Sequence, residues 1–240
     1  MQLQQLYSYV RRAVDDYHMI EEGDRIAVGL SGGKDSFAML YALSGLQKFY
    51  PVHFELQAIT VNLGFLEFNT DYMRSVCDEL SVPYTVLDTN IGEVVFDVRH
   101  EHNPCALCAK MRKGSLNNEA IRLGCNKIAY GHHRDDLIDT FMLSLIYEGR
   151  LHSYQPVTYL DRTNLTLIRP LMYLREADII GFRNKYQIPI CKNPCPADGV
   201  TRRQYVKDLV RQIDAENPGV KDRLFRAIID GHLPGWPTEK

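Results

Sequence analysis

The 240-residue sequence contains no apolar run that approaches the ~20 residues a membrane-spanning helix requires. Its N-terminus also lacks a basic segment followed by an apolar run, so we expect no secretory signal, no membrane partner and a cytoplasmic location. We find no internal repeat and no low-complexity linker. The apolar share of 45% and the charged share of 24% are those of an ordinary globular protein.

The chain also has little net charge, −2, so its total charge does not favour a polyanionic partner. The basic residues are clustered, however, and local clusters matter more for polyanion binding than the total does. Between positions 110 and 134, Glu119 is the one acid weighed against six basic residues: Lys110, Arg112, Lys113, Arg122, Lys127 and Arg134. A second basic cluster follows later and consists of Arg202, Arg203, Lys207 and Arg211. These residues form either a surface for a polyanion or solvated helix faces.

Apolar periodicity predicts strands that alternate with helices along most of the chain. The predicted strands are 25–30, 54–62, 83–87, 127–130 and 165–168. The predicted helices are 2–19, one from 37 onward, 69–80, 105–123, 134–147, 174–186, 204–213 and 221–229. Apart from its last strand, the stretch 148–170 is predicted to be an irregular connection. This alternation predicts an α/β fold with a doubly wound parallel sheet covered on both faces.

The residues that follow the first strand suit a phosphate group. The run Ser31-Gly32-Gly33-Lys34-Asp35-Ser36 has two glycines, which can take φ > 0 and turn successive N–H groups toward one anion. The next helix presents its N-terminal amides and positive dipole end to the same place. Ser31 and Ser36 offer hydroxyls, and Lys34 offers a positive charge. Asp35 would repel a phosphate unless it turns away or binds Mg²⁺.

Two further strand ends are expected at the same crevice, because the carboxyl ends of parallel strands line one edge of the sheet. Asn62 ends the second strand and is a candidate to contact the adenine or ribose of a nucleotide. The turn Gly131-His132-His133 follows the fourth strand, and its histidines are either functional or ordinary turn residues. The acids Asp135 and Asp136 come next and could hold Mg²⁺ or orient a reacting base.

Six cysteines are present, and in a cytoplasmic protein they are not expected to form structural disulfides. Cys105 and Cys108 form a C-x-x-C pair behind Pro104 at a helix start, where the dipole and nearby cations favour thiolates. Such a pair suits a redox disulfide, half of a zinc site or part of an iron–sulfur site. The other cysteines in a loop are Cys191 and Cys195, and spacing alone leaves these roles open.

The hexapeptide at 31–36 lacks the first glycine and the spacing of a Walker A loop. It resembles the PP-loop of the N-type ATP pyrophosphatases. Together with the runs 104–114 and 131–136 and the late Cys195, in that order, the sequence resembles the TtcA family, the tRNA 2-thiocytidine synthetases. The resemblance implies a PP-loop enzyme that uses ATP with Mg²⁺ to adenylate a cytidine in the tRNA anticodon loop. Sulfur then replaces the 2-oxygen, and AMP and pyrophosphate are released.

The resemblance also assigns residues. A 4Fe–4S cluster would be held by Cys105, Cys108 and Cys195. The family's late pair is C-x-x-C, whereas Lys192 takes its first place here and Cys191 stands one residue earlier, so Cys191 is the alternative ligand. The residues expected to act in catalysis are Lys34, Asp35, Asp135, Asp136 and Arg112. Those expected to bind ATP are Ser31, Gly32, Gly33, Lys34, Asp35, Ser36, Asn62, Gly131 and His132.

Three segments are predicted: an N-terminal helix in 1–23, a PP-loop ATP-binding α/β domain in 24–170, and a helical extension in 171–240 that carries the late cysteines. The expected partners are tRNA and a sulfur donor, either a cysteine desulfurase or inorganic sulfide. The apolar face of the N-terminal helix fits a homodimer or simple core packing. Two other interpretations stay open, a lysidine-type PP-loop tRNA ligase and a non-enzymatic iron–sulfur or zinc module that binds RNA.

Overall fold

A six-stranded sheet organises the part of the chain that the computed structural model describes, namely residues 1–64, 68–98, 104–191 and 202–237. The strands are β1 Asp24–Gly29, β2 Phe54–Asn62, β3 Tyr84–Asp88, β4 Lys127–Ala129, β5 Val157–Leu160 and β6 Leu165–Ile168. Their order across the sheet is β3-β2-β1-β4-β6-β5, and every neighbouring pair is parallel except β5 with β6. The predicted doubly wound α/β fold is confirmed.

Helices connect the parallel strands at the places where apolar periodicity predicted them. They are α1 Leu3–Asp16, α2 Lys34–Leu46, α3 Asp71–Glu79, α4 Ile91–Glu93, α5 Pro104–Arg122, α6 Arg134–Leu143, α7 Glu176–Lys185, α8 Arg202–Glu216 and α9 Val220–Asp230. A π-helical turn continues α4 over Val94–Val98, and another continues α6 over Ser144–Glu148. The sequence analysis missed α4, which has only three residues and no period of its own.

Side-chain alternation along the central strands divides the buried residues into layers on the two sheet faces. On β1, Ile26 and Val28 belong to the larger layer, while Ala27 between them belongs to the opposite one. On β4, Ile128 and Ala129 likewise face opposite layers. Helix α5 covers the smaller layer. Because both faces are covered, β1 and β4 read in the sequence as short continuous apolar runs.

The apolar face of α1 is buried within the chain. Leu6, Val10, Ala13 and Val14 are fully buried in the larger layer, and α1 packs on α2. Core packing therefore accounts for this face, and the face gives no support to a homodimer. The same layer includes Phe182, Val206 and Ile228. One cluster of buried side chains thus crosses the predicted segment boundaries at 23/24 and 170/171, which stay a prediction.

Strand β5 is the main correction to the predicted sheet, because its residues were assigned to an irregular connection. It pairs antiparallel with β6, with Leu160 opposite Leu165. It is a short edge strand with no fully buried residue, so its apolar signal is weak. The turn signal was present, since Asp161 to Asn164 separates the two strands and Asn164 has a φ of +53°.

No helix in the described ranges is long and apolar enough to cross a membrane.

A buried ion pair joins β4 to the start of β1, and we expect it to matter for stability. The Nζ atom of Lys127 lies 2.8 Å from Oδ2 of Asp24, and the two side chains are 7% and 3% exposed. Replacing Lys127→Met leaves a buried carboxylate without its cation, so we expect a loss of roughly 3 kcal/mol in the free energy of unfolding, measured in urea. Arg11→Met removes the exposed ion pair with Asp15 and should change the free energy of unfolding by less than about 1 kcal/mol. Equal losses in the two variants would contradict this account.

Candidate active site

The strand order reverses between β1 and β4, which brings the loops after these two strands together at one edge of the sheet. Their approach is close at Gly131. A Cβ atom placed there would lie 3.3 Å from the backbone carbon and oxygen of Asp35. A side chain at this position would therefore press on the phosphate loop, residues 31–36. The predicted convergence of the two loops is confirmed.

The phosphate loop opens α2 without a side-chain cap. Gly33 is the N-cap residue, and no side chain accepts from the first amides of the helix. Those amides and the positive helix end are therefore free to meet an anion. Of the two loop glycines, Gly32 has a positive φ of +79°, whereas Gly33 is extended, with a φ of −82°. The expectation of two left-handed glycines was thus wrong for Gly33.

The two serines of the loop shape it from within. The Ser36 hydroxyl donates to the Gly33 carbonyl at 2.9 Å, and the Ser31 amide donates to Ser36 Oγ at 3.2 Å. The Ser31 hydroxyl lies 3.3 Å from Ser36 Oγ and 3.4 Å from the Gly33 amide. Ser36 is buried, while Ser31 is exposed. Ser36 is thus bound to the loop itself, and Ser31 is the more accessible of the two hydroxyls.

Lys34 lies in a chain of charges that reaches the C-terminal helices. Its Nζ atom is 3.0 Å from Asp35 Oδ2 and 3.3 Å from Glu176 Oε1, and Lys207 lies 2.8 Å from the other oxygen of Glu176. Burial lowers the pKa of Lys34, but the carboxylates of Asp35 and Glu176 together raise the pKa above its ordinary value. The lysine is therefore a permanent cation beside the loop.

Asp35 has one oxygen for which the described residues provide no hydrogen bond. This oxygen, Oδ1, is buried, and Nε2 of His133 lies 3.7 Å from it. A buried carboxylate oxygen without a partner is costly, so it suits a cation that arrives with a ligand. Carboxylate oxygen is the ligand type that Mg²⁺ prefers, and the residues present therefore fit the predicted ion.

A cavity of about 720 Å³ lies between the two loops and α5. One wall is apolar and is formed at the ends of β1 and β2 by Leu30, Ile59, Val61, Leu63 and Phe68. The rest is mixed, with Leu116 and Leu167 among polar groups. It includes eight predicted residues: Ser31, Asp35, Ser36, Asn62, Arg112, Gly131, His132 and Asp136. Its volume and mixed lining suit a nucleotide with a second reactant. Gly32, Gly33 and Lys34 lie in the adjoining loop and not in the lining.

Asn62 lines the cavity, and two neighbours engage part of its amide. Its Nδ2 atom donates to Asp88 Oδ1 at 2.9 Å, and its Oδ1 atom accepts from the Gly64 amide at 3.1 Å. The side chain therefore holds the loop after β2 against the end of β3. One N–H and one oxygen lone pair of the amide stay available, so the contact with adenine or ribose stays a prediction.

His132 is held in a layer of rings and cations. It stacks on Tyr154 with ring centroids 4.3 Å apart, and its Nδ1 atom accepts from Nε of Arg169 at 3.2 Å. Burial and the neighbouring Arg169 lower the pKa of His132 to about 4. The imidazole is therefore neutral at pH 7, with its proton on Nε2.

The two acids that follow have different surroundings. Asp136 forms a capping box with His133 and accepts from Arg203 at 3.4 Å, and it lines the cavity. Asp135 is buried, with one oxygen bound to the Glu176 amide at 2.7 Å and the other to Lys221 at 2.9 Å. It is absent from the cavity lining. Of the two acids, Asp136 therefore lines the cavity, while Asp135 is engaged with α7 and α9.

The C-x-x-C pair lies on the first turn of α5. Cys108 is buried against Leu63 and neighbouring residues, and Cys105 is exposed. Positions three apart share a helix face, and the residue after Cys108, Ala109, already lines the cavity. Cys195 lies outside the described residues. Cys191 instead lies against the phosphate loop, where its amide donates to the Gly32 carbonyl at 3.0 Å, and burial raises the pKa of its thiol.

Sequence reasoning missed Arg169 and Tyr154 in the cavity wall and Glu176, which pairs with Lys34. Arg169 directly follows β6, so the rule that selected Asn62 also indicated it. Tyr154 lies in the stretch assigned to irregular structure. Glu176 is distant in sequence from Lys34, and no local pattern connects them. Within the described ranges, no group of three or more histidine, cysteine or acidic side chains is arranged to hold a metal ion.

The low pKa of His132 predicts a pH dependence of stability. Folding lowers this pKa from 6.5 to about 4, so the unfolded chain binds the proton more readily between these values. Stability from this residue is therefore present above about pH 6.5 and is lost as the pH falls toward 4. Between pH 7 and pH 5, the free energy of unfolding in urea should fall by about 2 kcal/mol less for His132→Asn than for the parent protein. Parallel losses would show that His132 does not titrate this way.

Known proteins that are similar to this chain have a PP-loop domain or are named for tRNA thiolation. The family model described as a PP-loop domain matches residues 3–213. The tRNA-cytidine(32) 2-sulfurtransferase of Geobacter sulfurreducens is 37% identical over 91% of this chain and 86% of its own length, and that of Aliivibrio salmonicida is 38% identical over 95% and 76%. The U34-tRNA thiolase NcsA of Methanococcus maripaludis, solved with its 4Fe–4S cluster, superposes with a TM-score of 0.78 at 25% identity over 97% of this chain and 80% of its own. The chain therefore belongs to the PP-loop family and, within it, to the tRNA 2-thiocytidine synthetases that the sequence resembled.

Proposed function

We propose that this protein is an ATP-dependent tRNA sulfurtransferase that adenylates the 2-carbonyl oxygen of a cytidine in the anticodon loop and replaces it with sulfur. The observation that carries the proposal is the position of α5. Its first turn bears Cys105 and Cys108, and its next turns bear Ala109, Arg112 and Lys113 on the wall of the cavity beside the phosphate loop. A thiol pair and an ATP-type loop thus adjoin the same cavity. Relatives that share most of this chain are named for this reaction at cytidine 32.

ATP would bind with its phosphates at the phosphate loop. The uncapped amides of α2, the Ser31 hydroxyl and the Lys34 ammonium offer donors and positive charge there. The apolar wall formed by Leu30, Ile59 and neighbouring residues offers a surface for the adenine. Asp35, with its unpartnered Oδ1, is the residue we assign to Mg²⁺.

The chemistry needs two displacements. The cytidine carbonyl oxygen attacks the α-phosphorus of ATP and pyrophosphate leaves, which converts that oxygen into part of a good leaving group. Sulfide then attacks the cytidine carbon that bears this oxygen, and AMP departs with the original oxygen. Lys34 and the α2 amides would stabilise the charge that develops on the phosphates, and Arg112 at the cavity rim would contact the activated base or the RNA backbone. Asp136 would orient the base or help to hold Mg²⁺, while Asp135 would position its loop through Glu176 and Lys221.

The thiol pair fits an iron–sulfur cluster. Two thiols on one face of a helical turn, at its positive end and near cationic residues, are chemically suited to bind iron as thiolates. We assign Cys105 and Cys108 as two ligands and Cys195 as the third. When bound, a 4Fe–4S cluster with an open iron supplies a site for the sulfur that is transferred. Cys191 has a different place, against Gly32 of the phosphate loop.

Further features of the proposal concern partners. The sulfur source would be a cysteine desulfurase or inorganic sulfide, and the protein would act in the cytoplasm. A homodimer remains a prediction, which light scattering would decide.

Loss of the Lys34 charge should abolish activation. Lys34→Met removes the cation beside the phosphate loop, and we expect release of pyrophosphate from ATP in the presence of tRNA to fall at least ~100-fold. Lys48→Met removes an exposed lysine just beyond the other end of α2 and should leave the rate unchanged. Similar rates for the two variants would remove Lys34 from the reaction.

Loss of a cluster thiol should separate ATP binding from sulfur transfer. Cys105→Ala lies outside the cavity lining, so it should bind an ATP analogue as the parent does. After anaerobic reconstitution it should retain little iron, and tRNA treated with it should contain no 2-thiocytidine by mass spectrometry. Cys125→Ala, at a cysteine buried under α5, should keep its iron. Full thiolation by Cys105→Ala would argue for a reaction that needs no thiol pair.

A further inference from the structure

One end of the cavity holds hydrogen-bond donors that no described residue accepts. Arg169 is 7% exposed and lines the cavity. Its Nη1 atom donates to the Gln155 carbonyl and, at 3.2 Å, to Thr158 Oγ1, and its Nε atom donates to His132. In the described ranges no carboxylate pairs with Arg169, and Nη2 has no acceptor. A buried cation without an anion is costly, so its retention points to a ligand that supplies the missing charge.

Two neutral donors lie beside this arginine. The Nδ1 atom of His132 accepts from Arg169, so its proton sits on Nε2, for which the described residues provide no acceptor. The Tyr130 hydroxyl is buried and has no partner among the residues that the structure describes. Burial raises the pKa of Tyr130 to about 12, so the hydroxyl keeps its proton and can donate. Both residues line the cavity.

Ring contacts hold these groups in place. Tyr154 stacks on His132 and lies under the Arg169 guanidinium, 4.9 Å from ring centroid to Cζ, and the rings of Tyr130 and His132 are 5.8 Å apart. Tyr130 follows β4 and Arg169 follows β6, whereas the apolar wall follows β1 and β2. The donors therefore lie across the cavity from the surface assigned to adenine. Asp136, the acid on this side, already accepts from Arg203.

We propose that Arg169, His132 and Tyr130, here called the donor cluster, bind a phosphate group of a substrate, either in the RNA backbone or in ATP. One fixed positive charge with two neutral donors and no paired acid selects an anion, and a guanidinium fork matches phosphate oxygens. A neutral base carbonyl would leave the buried charge uncompensated. This inference rests on the proposed function, because that function brings both phosphate sources to the cavity.

The test measures binding to the full-length protein in two separate calorimetric titrations. One uses a non-hydrolysable ATP analogue with Mg²⁺, and the other uses an anticodon stem-loop RNA at a fixed salt concentration. Arg169→Gln should weaken binding at least ~10-fold in one titration, and Tyr130→Phe should weaken the same one by ~3-fold or more. Arg162→Gln, an exposed arginine in the β5–β6 turn, should match the parent in both.

Tyr130→Phe also separates ligand binding from folding. It removes a buried hydroxyl that has no partner in the described ranges, so its melting temperature should equal or exceed that of the parent. Weaker RNA binding alone identifies a backbone phosphate, and weaker nucleotide binding alone identifies an ATP phosphate. Parent-like affinity of both variants in both titrations overturns the donor cluster. A parent protein that binds neither probe overturns the proposed function itself, and the donor cluster with it.

Discussion

The arrangement of the cavity depends on how closely the turn after β4 approaches the phosphate loop after β1. At Gly131 the two backbones approach so closely that a Cβ atom would lie 3.3 Å from Asp35 backbone atoms and would press on the phosphate loop. This approach sets Asp35 Oδ1 3.7 Å from His133 and directs the start of α6, with Asp136, to the same cavity. This approach is possible because β1 and β4 are parallel neighbours at the point where the strand order reverses. The loops that follow them therefore meet at one edge of the sheet. The chemistry of the loop is thus a consequence of sheet topology.

Charge then connects the loop to the helices beyond it. Lys34 contacts Glu176 at the start of α7, Glu176 contacts Lys207 on α8, and Asp135 contacts Lys221 on α9. The segment with Cys195 lies between Cys191, whose amide binds the Gly32 carbonyl, and Arg203, which binds Asp136. Both described flanks of that segment therefore contact residues of the nucleotide site. These contacts support the proposal that a late cysteine and a phosphate loop, far apart in sequence, serve one reaction.

Much of this could be predicted from the sequence, because the signals were local. The phosphate loop combines a buried strand, two glycines and a helix start, and β2 was predicted with its observed bounds because its apolar run is long. Edge strand β5 escaped because a half-exposed strand of four residues has little period. The separation of Asp136 from Asp135 could not be predicted, since adjacent carboxylates differ only in what tertiary contacts surround them. Arg169 is an intermediate case. Its place after a strand could be predicted, but the fold was needed to show that no acid of the described ranges pairs with it.

The central claim is that the phosphate loop activates a carbonyl oxygen which then leaves as part of AMP. The most direct measurement uses an anticodon stem-loop RNA whose target cytidine carries ¹⁸O at the 2-carbonyl, treated with ATP, Mg²⁺ and sulfide under anaerobic conditions. Mass spectrometry of the released nucleotide should find the ¹⁸O in the phosphate of AMP, in a one-to-one ratio with 2-thiocytidine formed. Unlabelled AMP alongside 2-thiocytidine would show that the oxygen leaves by another route and would contradict this account.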